Sequence, residues 1–340
     1  GRMRLITRSD FDGLMCAVLL KEVEKIKDIE FVHPKDVQDG KIAVTKDDIL
    51  TNLPFVPGVG LWFDHHSSEA GRNDMEGIAF EGRFDVAPSA ARVVYDRYVA
   101  KGKGAKLKKY KKLLEVVDKS DSAQLTEKDV TKPSGWILLS YVMDPRTGLG
   151  YSHDYAISNR DLMKKMISLI GKKPVKEILA NKHVAERVAK YKEDQKAFKA
   201  QLVERSVLDG NVVVSDFRGV ADVKSGNRFL VYTLFPDSNV SVRISESKAL
   251  GKVVCAVGHS IFRRTSKTDV GKLMGKFGGG GHRGAGTCQL PGTPNGIDCP
   301  PIFASPGVTC DDGLVTTSGD HCDGGGLCVG QHRLHQCVIG

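Results

Sequence analysis

The stretch MRLITRSDFDGLMCAVLLKEVEKIKD, residues 3–28, decides the fold of the N-terminal part of the chain. Its first five residues are typical of a short buried strand, SDFDG (9–13) of a turn, and residues 14–28 have the apolar spacing of an amphipathic helix. Further strands are predicted at 41–45 and 60–64, and further helices at 88–101 and 106–119. This alternation of strand and helix predicts a parallel α/β sheet, in which active groups lie at the carboxyl ends of the strands.

The second half of the chain has a different pattern. A charged run predicts a long connecting helix over residues 174–206. Val-rich stretches and a helix beginning near Asp269 then predict a smaller α/β domain over residues 207–290; the stretches interpreted as strands are 211–217, 228–236, 239–245 and 252–258. The predicted organisation is a parallel-sheet domain (1–173), a helical linker, this smaller domain and a tail (291–340).

Composition excludes several classes of protein. The 340 residues are 41% hydrophobic and 27% charged, which rules out disorder as the main state. No uninterrupted apolar run approaches the roughly 20 residues of a membrane-spanning helix. The first ten residues also carry charges where a signal peptide has its apolar stretch. We therefore expect a cytoplasmic protein with no membrane partner.

Charge and cysteine are unevenly distributed. The net charge of +9 combines a tail of −4, in which one arginine stands against five aspartates, with about +13 on residues 1–290. A basic body predicts an anionic partner such as a phosphate ester or a nucleic acid. The tail holds five of the eight cysteines and no periodic pattern, so we interpret it as a disordered or non-native extension. The alternative is a zinc site formed by Cys310, His321, Cys322 and Cys328.

Two carboxylates follow the first predicted strand. Asp10 and Asp12 stand at i and i+2, with Gly13 next. Side chains with this spacing at a strand end can face one crevice, where a cation would relieve the repulsion between them. The alternative is a solvated Asx turn.

A second polar group ends another predicted strand. In LWFDHHSSE (61–69), Asp64 is followed by His65 and His66. Adjacent imidazoles suit a transition metal, although a surface pair of histidines is the alternative. Together with Asp10 and Asp12, this group favours metal-dependent chemistry.

These motifs, with the run GGGGHRGAG at residues 278–286, resemble the DHH phosphoesterase superfamily, which includes the RecJ exonucleases, the nanoRNases, the manganese-dependent inorganic pyrophosphatases and exopolyphosphatase-related proteins. The resemblance covers residues 3–290. It implies a hydrolase of phosphoric esters or anhydrides with a DHH-type catalytic domain and a DHH-associated substrate-binding domain. It also implies manganese as the cofactor, in one or two ions, with magnesium and cobalt as alternatives. In the family, two manganese ions activate a water that attacks phosphorus in line.

The resemblance assigns roles to residues of the first domain. Asp10 would bind one metal ion, and Asp12 and His65 the other. Asp64 would be a ligand or would support one, and His66 would face the substrate phosphate as a catalytic group. These assignments follow the two motifs residue by residue.

One more carboxylate ligand is expected after a helix that follows the Asp-His-His motif. Asp118 fits this place, because an aspartate near a helix C-terminus opposes the helix dipole and is better explained by a site. Asp121 is the alternative ligand, and an ordinary capping role for Asp118 is the structural alternative.

Two positions depart from the family pattern. Arg8 stands where active members have a histidine ligand, and Asn52 stands where a bridging aspartate is expected, with Asp48 four residues earlier. Arginine cannot bind a metal, and asparagine offers only a neutral carbonyl oxygen. Arg8 would instead supply a catalytic positive charge beside the phosphate or beside Asp10, unless it is a surface arginine. The competing hypothesis is a phosphate-binding module that has lost hydrolysis.

The glycine run has a predicted role in substrate binding. Backbone N–H groups of Gly279, Gly280 and Gly281 can surround an anionic oxygen, with His282 beside them; a flexible linker is the alternative. Arg264 is a candidate phosphate clamp, equally compatible with solvated surface. We expect a small anionic substrate, namely polyphosphate, a short oligonucleotide or a nucleotide. The sequence does not distinguish among these substrates, and it does not decide whether the chain forms a homodimer.

Overall fold

A computed structural model describes residues 1–65, 80–147, 154–247 and 251–293, together with two-residue strands at 296–297, 321–322 and 328–329. The chain forms two compact units, Gly1–Asp194 and Gln195–Gly340. The boundary between the two units falls inside a helix, Lys182–Arg205. The domain limits expected from the sequence stay a prediction.

Unit 1 contains a five-stranded sheet in which every neighbouring pair is parallel, as the alternation of strand and helix predicts. The strands are β1 (Met3–Arg8), β2 (Ile26–Val32), β3 (Asp48–Thr51), β4 (Leu61–Asp64) and β5 (Gly82–Phe84), and their spatial order is β2-β1-β3-β4-β5. Parallel strands have their carboxyl ends at the same edge of the sheet. The residues that follow β1, β3 and β4 are therefore neighbours in space.

The prediction of a strand at 41–45 is wrong. The strand that pairs with β1 is β3, a few residues later in the chain. All four residues of β3 are buried, and Arg4 Nε lies 2.9 Å from Asp48 Oδ1, which neutralises the carboxylate that begins the strand. Residues 41–45 alternate between exposed and half-buried positions and form no strand. Burial on both faces, which a central parallel strand requires, selects residues 48–51.

The first helix of unit 1 is more buried than its sequence predicts. Eleven residues of α1 (Phe11–Val23) are buried, where an amphipathic helix is expected. The helix also ends at Val23 and not at residue 28, since Ile26 begins β2. The other helices of unit 1 are α2 (Pro34–Gln38), α3 (Ala90–Ala100), α4 (Gly104–Leu107), α5 (Lys111–Asp121), α6 (Glu127–Thr131), α7 (Gly135–Met143), α8 (Asn159–Lys172) and α9 (Val175–Ala180), and α1 packs against α3, α5 and α8.

Two helices, and not one, span the connection predicted at 174–206. After α9 ends at Ala180, α10 runs over Lys182–Arg205. Asn181 separates them: its backbone has ψ 132°, and its Oδ1 accepts a hydrogen bond from the His183 N–H at 3.0 Å. A side-chain oxygen that accepts from the N–H two residues later is typical of a helix start.

Unit 2 contains a mixed sheet, as expected for the smaller α/β domain. Its strands are β6 (Ser206–Asp209), β7 (Val212–Asp216), β8 (Val240–Ser247), β9 (Lys252–His259), β10 (Gly280–His282), β11 (Ala285–Thr293) and β12 (Gly296–Ile297). The order is β10-β11-β9-β8-β7-β6, with β12 paired to β11. Strands β7 and β8 are parallel, and the other pairs are antiparallel. The core includes Val242, Ile244 and Cys255 from the sheet and Val270 and Met274 from a helix.

One of the four predicted strands of unit 2 is a helix. Within residues 228–236 the chain forms α11 (Leu230–Leu234), and Leu230, Val231 and Tyr232 are all buried. A short apolar run buried on all sides suits a strand or a helix equally, so the periodicity does not decide. The helix predicted near Asp269 is confirmed as α12 (Val270–Gly275), where the Asp269 side chain accepts from the Lys272 N–H at 3.1 Å.

The tail lies largely outside the described residues. Within it, β12 pairs with β11, and β13 (His321–Cys322) pairs with β14 (Cys328–Val329). The interpretation of the tail as a disordered or non-native extension, and its zinc alternative, fall mostly on residues that the structure does not describe. Of the helices described above, none is both long and apolar enough to cross a membrane.

Candidate active site

Asp10 joins the end of β1 to the start of α1. It is the N-cap of α1, and its Oδ1 accepts a hydrogen bond from the Gly13 N–H at 2.7 Å. Gly13 is required there, because a Cβ at this position would lie 1.9 Å from the carbonyl oxygen of Arg8. The strand, turn and helix of the opening motif therefore fix a carboxylate, 7% exposed, at the carboxyl edge of the sheet.

Both departures from the family pattern contact Asp10. Arg8 Nε lies 3.1 Å from Asp10 Oδ2, and Asn52 Nδ2 donates to Asp10 Oδ1 at 3.2 Å. Asn52 is buried with φ 56°, a left-handed conformation that asparagine tolerates. A guanidinium, an amide and a backbone N–H thus surround the carboxylate, and Arg8 is an ion-pair partner of Asp10 and not a free surface arginine.

Asp12 points to the start of α3. Its two carboxylate oxygens accept hydrogen bonds from the Ala90 and Ala91 N–H groups, both at 2.9 Å. Ser89 is the N-cap of this helix. Exposed N–H groups and the helix dipole favour negative charge at such a helix start. This contact explains how a carboxylate that is 2% exposed remains stable in the fold.

His65, directly after β4, faces two carboxylates. Its Nδ1 lies 2.9 Å from the carbonyl oxygen of Ala87, so the proton belongs on Nδ1 and the Nε2 lone pair is directed elsewhere. Nε2 is 3.5 Å from Asp12 Oδ2 and 3.1 Å from Asp121 Oδ2. Ligand atoms of Asp12, His65 and Asp121 all lie within 4.8 Å of one another, a spacing that can hold one metal ion.

The structure separates Asp118 from this cluster and brings Asp121 into it. Asp118 Oδ2 accepts hydrogen bonds from Arg92 Nε at 2.9 Å and Arg92 Nη2 at 2.7 Å, and Oδ1 accepts from Ser89 at 2.7 Å. Three donors therefore engage the carboxylate that we predicted as a ligand. Asp121, three residues later at the end of α5, is the alternative that the sequence left open, and it faces His65.

The remaining predicted residues of unit 1 have different positions. Asp64 is the last residue of β4 and is fully buried, directly before His65. His66 lies outside the described residues, so its predicted contact with phosphate stays a prediction. The sequence predicts this helix from residue 88, but sequence reasoning missed the contact of its Ala90 and Ala91 N–H groups with Asp12. Its available signal was the pair Pro88-Ser89, which is typical of a helix N-terminus.

In unit 2, residues 279–286 form a hairpin, which we call the glycine hairpin. Gly280–His282 is an edge strand paired with β11, where a wrapping loop is expected. A Cβ at Gly279 would lie 2.1 Å from the Thr287 carbonyl oxygen, and one at Gly281 would lie 2.3 Å from the Ala285 carbonyl oxygen. A Cβ at Gly280 would meet nothing within 4 Å. Close backbone packing thus explains two glycines, and Gly280 leaves open space.

His282 and Arg264 are both exposed. His282 Nδ1 accepts a hydrogen bond from the Gly284 N–H at 3.1 Å, so the neutral ring carries its proton on Nε2. Desolvation, with the charges of Arg228 and His259, lowers the pKa of His282. The imidazole is therefore a neutral donor at pH 7. Arg264 Nε donates to the Ile261 carbonyl oxygen at 3.0 Å.

Comparison with solved structures defines the class of protein. The chain belongs to the DHH phosphoesterase superfamily and is a hydrolase of phosphoric esters. It is similar to the pGpG-specific phosphodiesterase PggH from Vibrio cholerae, with 43% identity over 85% of this chain and 93% of that chain, and a TM-score of 0.74. No family model and no curated protein matches the chain.

A second solved structure is similar in fold alone. It is the DHH domain of a member of the s1p family of ribosomal proteins, with 13% identity, coverage of 84% of this chain and 82% of that chain, and a TM-score of 0.54. The first comparison confirms the family resemblance, and both comparisons agree with the α/β architecture that the sequence predicts.

Proposed function

We propose that this protein hydrolyses pGpG, or another short 5′-phosphorylated dinucleotide, with one divalent ion bound by Asp12, His65 and Asp121. The observation that carries the substrate is the 43% identity to a pGpG-specific phosphodiesterase over 93% of that chain. A water oxygen would bond to phosphorus while the bond to the 3′ oxygen breaks. The leaving oxygen takes a proton, and pGpG yields two molecules of GMP.

The three proposed ligands fit a divalent transition metal. Two carboxylates and one imidazole give the mixed oxygen and nitrogen donor set that manganese accepts, and cobalt and magnesium are the alternatives. The hydrogen bond from His65 Nδ1 to Ala87 supports this assignment, because it directs Nε2 toward Asp12 and Asp121. When bound, the ion polarises a phosphoryl oxygen and lowers the pKa of the attacking water.

In our proposal Arg8 supplies the positive charge that a second ion supplies elsewhere in the family. The contacts of Asp10 with Arg8, Asn52 and the Gly13 N–H support this role, because they occupy the carboxylate and fix the guanidinium. A fixed guanidinium stabilises charge that develops on phosphoryl oxygens. Asp10 then positions Arg8 and is not a metal ligand. His66 is expected to face the same phosphate.

Unit 2 would contribute substrate contacts through the glycine hairpin. Gly280 is the favoured position, because open space around it admits a ligand oxygen to the backbone. His282 would donate from Nε2 without adding charge. Arg264 is a weaker candidate, since its exposed side chain donates to Ile261.

The second candidate function is nucleotide binding without hydrolysis. The ion pair of Arg8 with Asp10 favours it, because that pair replaces one of the two ion sites of active members. A binding protein would keep affinity for pGpG and release no GMP. Hydrolysis and metal content therefore separate the two candidates.

A panel of substrates and metals tests the proposal. Protein dialysed against each of manganese, magnesium and cobalt is incubated with pGpG, longer oligonucleotides and polyphosphate, and GMP or phosphate release is measured. With manganese, we expect release of GMP from pGpG and one bound ion per chain. Asp121→Asn should release no GMP and should bind no ion. Asp161→Asn, an exposed aspartate in the first turn of α8, is the matched control. Tight pGpG binding without cleavage under any metal would favour the binding protein.

A further inference from the structure

Two cysteines of unit 2 face each other across neighbouring strands. Cys255 of β9 and Cys288 of β11 are directly opposed in the antiparallel register. At the end of this ladder the His259 N–H donates to the Gly284 carbonyl oxygen, and hydrogen-bonded pairs alternate from there, so Cys255 and Cys288 form such a pair. The Cα atoms of a hydrogen-bonded pair are ~5.5 Å apart, a separation that residues joined by a disulfide commonly have.

Both cysteine side chains point to the buried face of the sheet. Cys255 is fully buried and Cys288 is 2% exposed, and both belong to the core together with Met274 of α12. Opposed residues of an antiparallel pair point to the same face, so the two thiols are neighbours. The hydrogen bond that Cys288 shares with Cys255 outweighs desolvation and lowers the pKa of Cys288. A lower pKa favours the thiolate, which is the form of cysteine that reacts with oxidants.

The glycine hairpin covers Cys288 at the edge of the sheet. A Cβ at Gly279 would lie 2.7 Å from the Cα and 2.8 Å from the Cβ of Cys288, so the backbone of Gly279 packs directly on this cysteine. The strand β10 that follows is an edge strand of three exposed residues. Short exposed edge strands open more readily than the centre of a sheet. Local opening of β10 would therefore give a small oxidant access to Cys288.

We propose that Cys255 and Cys288 are an oxidation site, at which hydrogen peroxide forms a reversible disulfide that fastens β11 to β9. The Cys288 thiolate would attack one peroxide oxygen, so that the O–O bond breaks, Cys288 becomes a sulfenic acid and the other oxygen leaves as water with the thiol proton. The Cys255 sulfur then bonds to the Cys288 sulfur, the S–O bond breaks, and the oxygen leaves as a second water with the Cys255 proton. The two sulfurs lose two electrons, and the peroxide gains them.

The disulfide would limit the opening of the glycine hairpin. It closes a loop of residues 255–288, which contains α12 and the hairpin. A cross-link removes extended conformations that an open loop would otherwise adopt. An attacking thiol breaks the bond again by exchange, so the site can return to its reduced state. The inference does not depend on the proposed function, because it concerns the structure of unit 2 and its test measures no hydrolysis.

Peptide mapping of the full chain by mass spectrometry tests the oxidation site. Reduced protein is treated with hydrogen peroxide, its remaining thiols are blocked with N-ethylmaleimide in denaturant, and it is digested without reductant. We expect a pair of peptides linked through Cys255 and Cys288, which dithiothreitol separates. Cys16 is the matched control, because it is equally buried but lies on α1 and should stay a free thiol. Free thiols at Cys255 and Cys288 after prolonged treatment, or disulfides from them to other cysteines alone, would overturn the proposal.

Hydrogen exchange tests whether the disulfide fastens β11. Amides of residues 280–290 should exchange on the order of tenfold more slowly in the oxidised wild-type protein than in the reduced protein, and dithiothreitol should restore the faster rate. In Cys255→Ala, the same peroxide treatment should leave these rates unchanged. The wild-type comparison decides the point even if that variant fails to fold. Equal exchange rates in the cross-linked and the reduced wild-type protein would show that the disulfide does not hold the strand, against the proposal.

Discussion

Arg8 Nε lies 3.1 Å from Oδ2 of Asp10, the residue two positions along the chain. The same carboxylate caps α1 and accepts from the Asn52 amide. Arg8 and Asn52 are the two positions where the sequence departs from the family pattern, and both contact one carboxylate. A guanidinium and an amide therefore use the lone pairs that a metal ion would otherwise take.

Restoring both family ligands should create a second ion site. In the double variant Arg8→His with Asn52→Asp, we expect the manganese content to rise from one to two ions per chain, because an imidazole and a carboxylate would join Asp10. Mass spectrometry of dialysed protein measures this content. Arg8→Lys is the control, since it keeps the charge without adding a ligand. Two ions in the wild-type protein would refute the single-ion assignment.

Asp121 and Asp118 should respond differently to the same substitution. Asp121→Asn should lose the bound ion with little change in Tm, because the carboxylate faces His65. Asp118→Asn should keep the ion and lose about 1–3 kcal/mol of stability, because it weakens two hydrogen bonds from Arg92 to one carboxylate oxygen. Measurements of metal content and thermal unfolding on both variants test this difference. Loss of the ion in Asp118→Asn alone would reverse the assignment.

Two neighbouring glycines of the hairpin offer a similar contrast. Gly280→Val should raise KM for pGpG about tenfold with an unchanged Tm, because its side chain would fill space that we assign to the substrate. Gly281→Ala should lower Tm, because its Cβ would clash with the Ala285 carbonyl oxygen. Steady-state kinetics and unfolding curves check both effects. A normal KM in Gly280→Val would leave the hairpin a structural role only.

Deletion of residues 298–340 should leave metal content and hydrolysis unchanged. The residues with a proposed chemical role all precede Pro291, and the described sheet of unit 2 ends with β12. Activity assays and mass spectrometry of the shortened protein test this expectation. A folded but inactive product would show that the tail contributes to catalysis.

The sequence predicts those site residues that depend on local structure. Asp10 and Asp12 follow a strand and begin a helix, and His65 follows another strand, so motif and secondary structure place all three. The choice between Asp118 and Asp121 depends on packing. The two lie three residues apart on one helix, and Arg92, from a different helix, engages the first. No pattern within residues 111–121 contains that contact.

The errors in the predicted secondary structure have a similar origin. Residues 230–232 and all four residues of β3 are buried, and burial removes the periodicity on which a prediction depends. The Asn227 side chain accepts a hydrogen bond from the Phe229 N–H just before α11, and Arg4 neutralises the Asp48 carboxylate that begins β3. Each outcome depends on a residue outside the predicted segment or on its tertiary neighbours.

The hydrogen bonds from Ala90 and Ala91 to Asp12 have a consequence for the life of the enzyme. Two backbone donors stabilise this buried charge without a cation, so in our proposal unit 1 would fold first and bind its metal ion afterwards. If Asp12 holds an ion as we propose, that ion could leave and return without unfolding of unit 1. The proposed hydrolysis would then respond to the concentration of free divalent metal without synthesis of new protein.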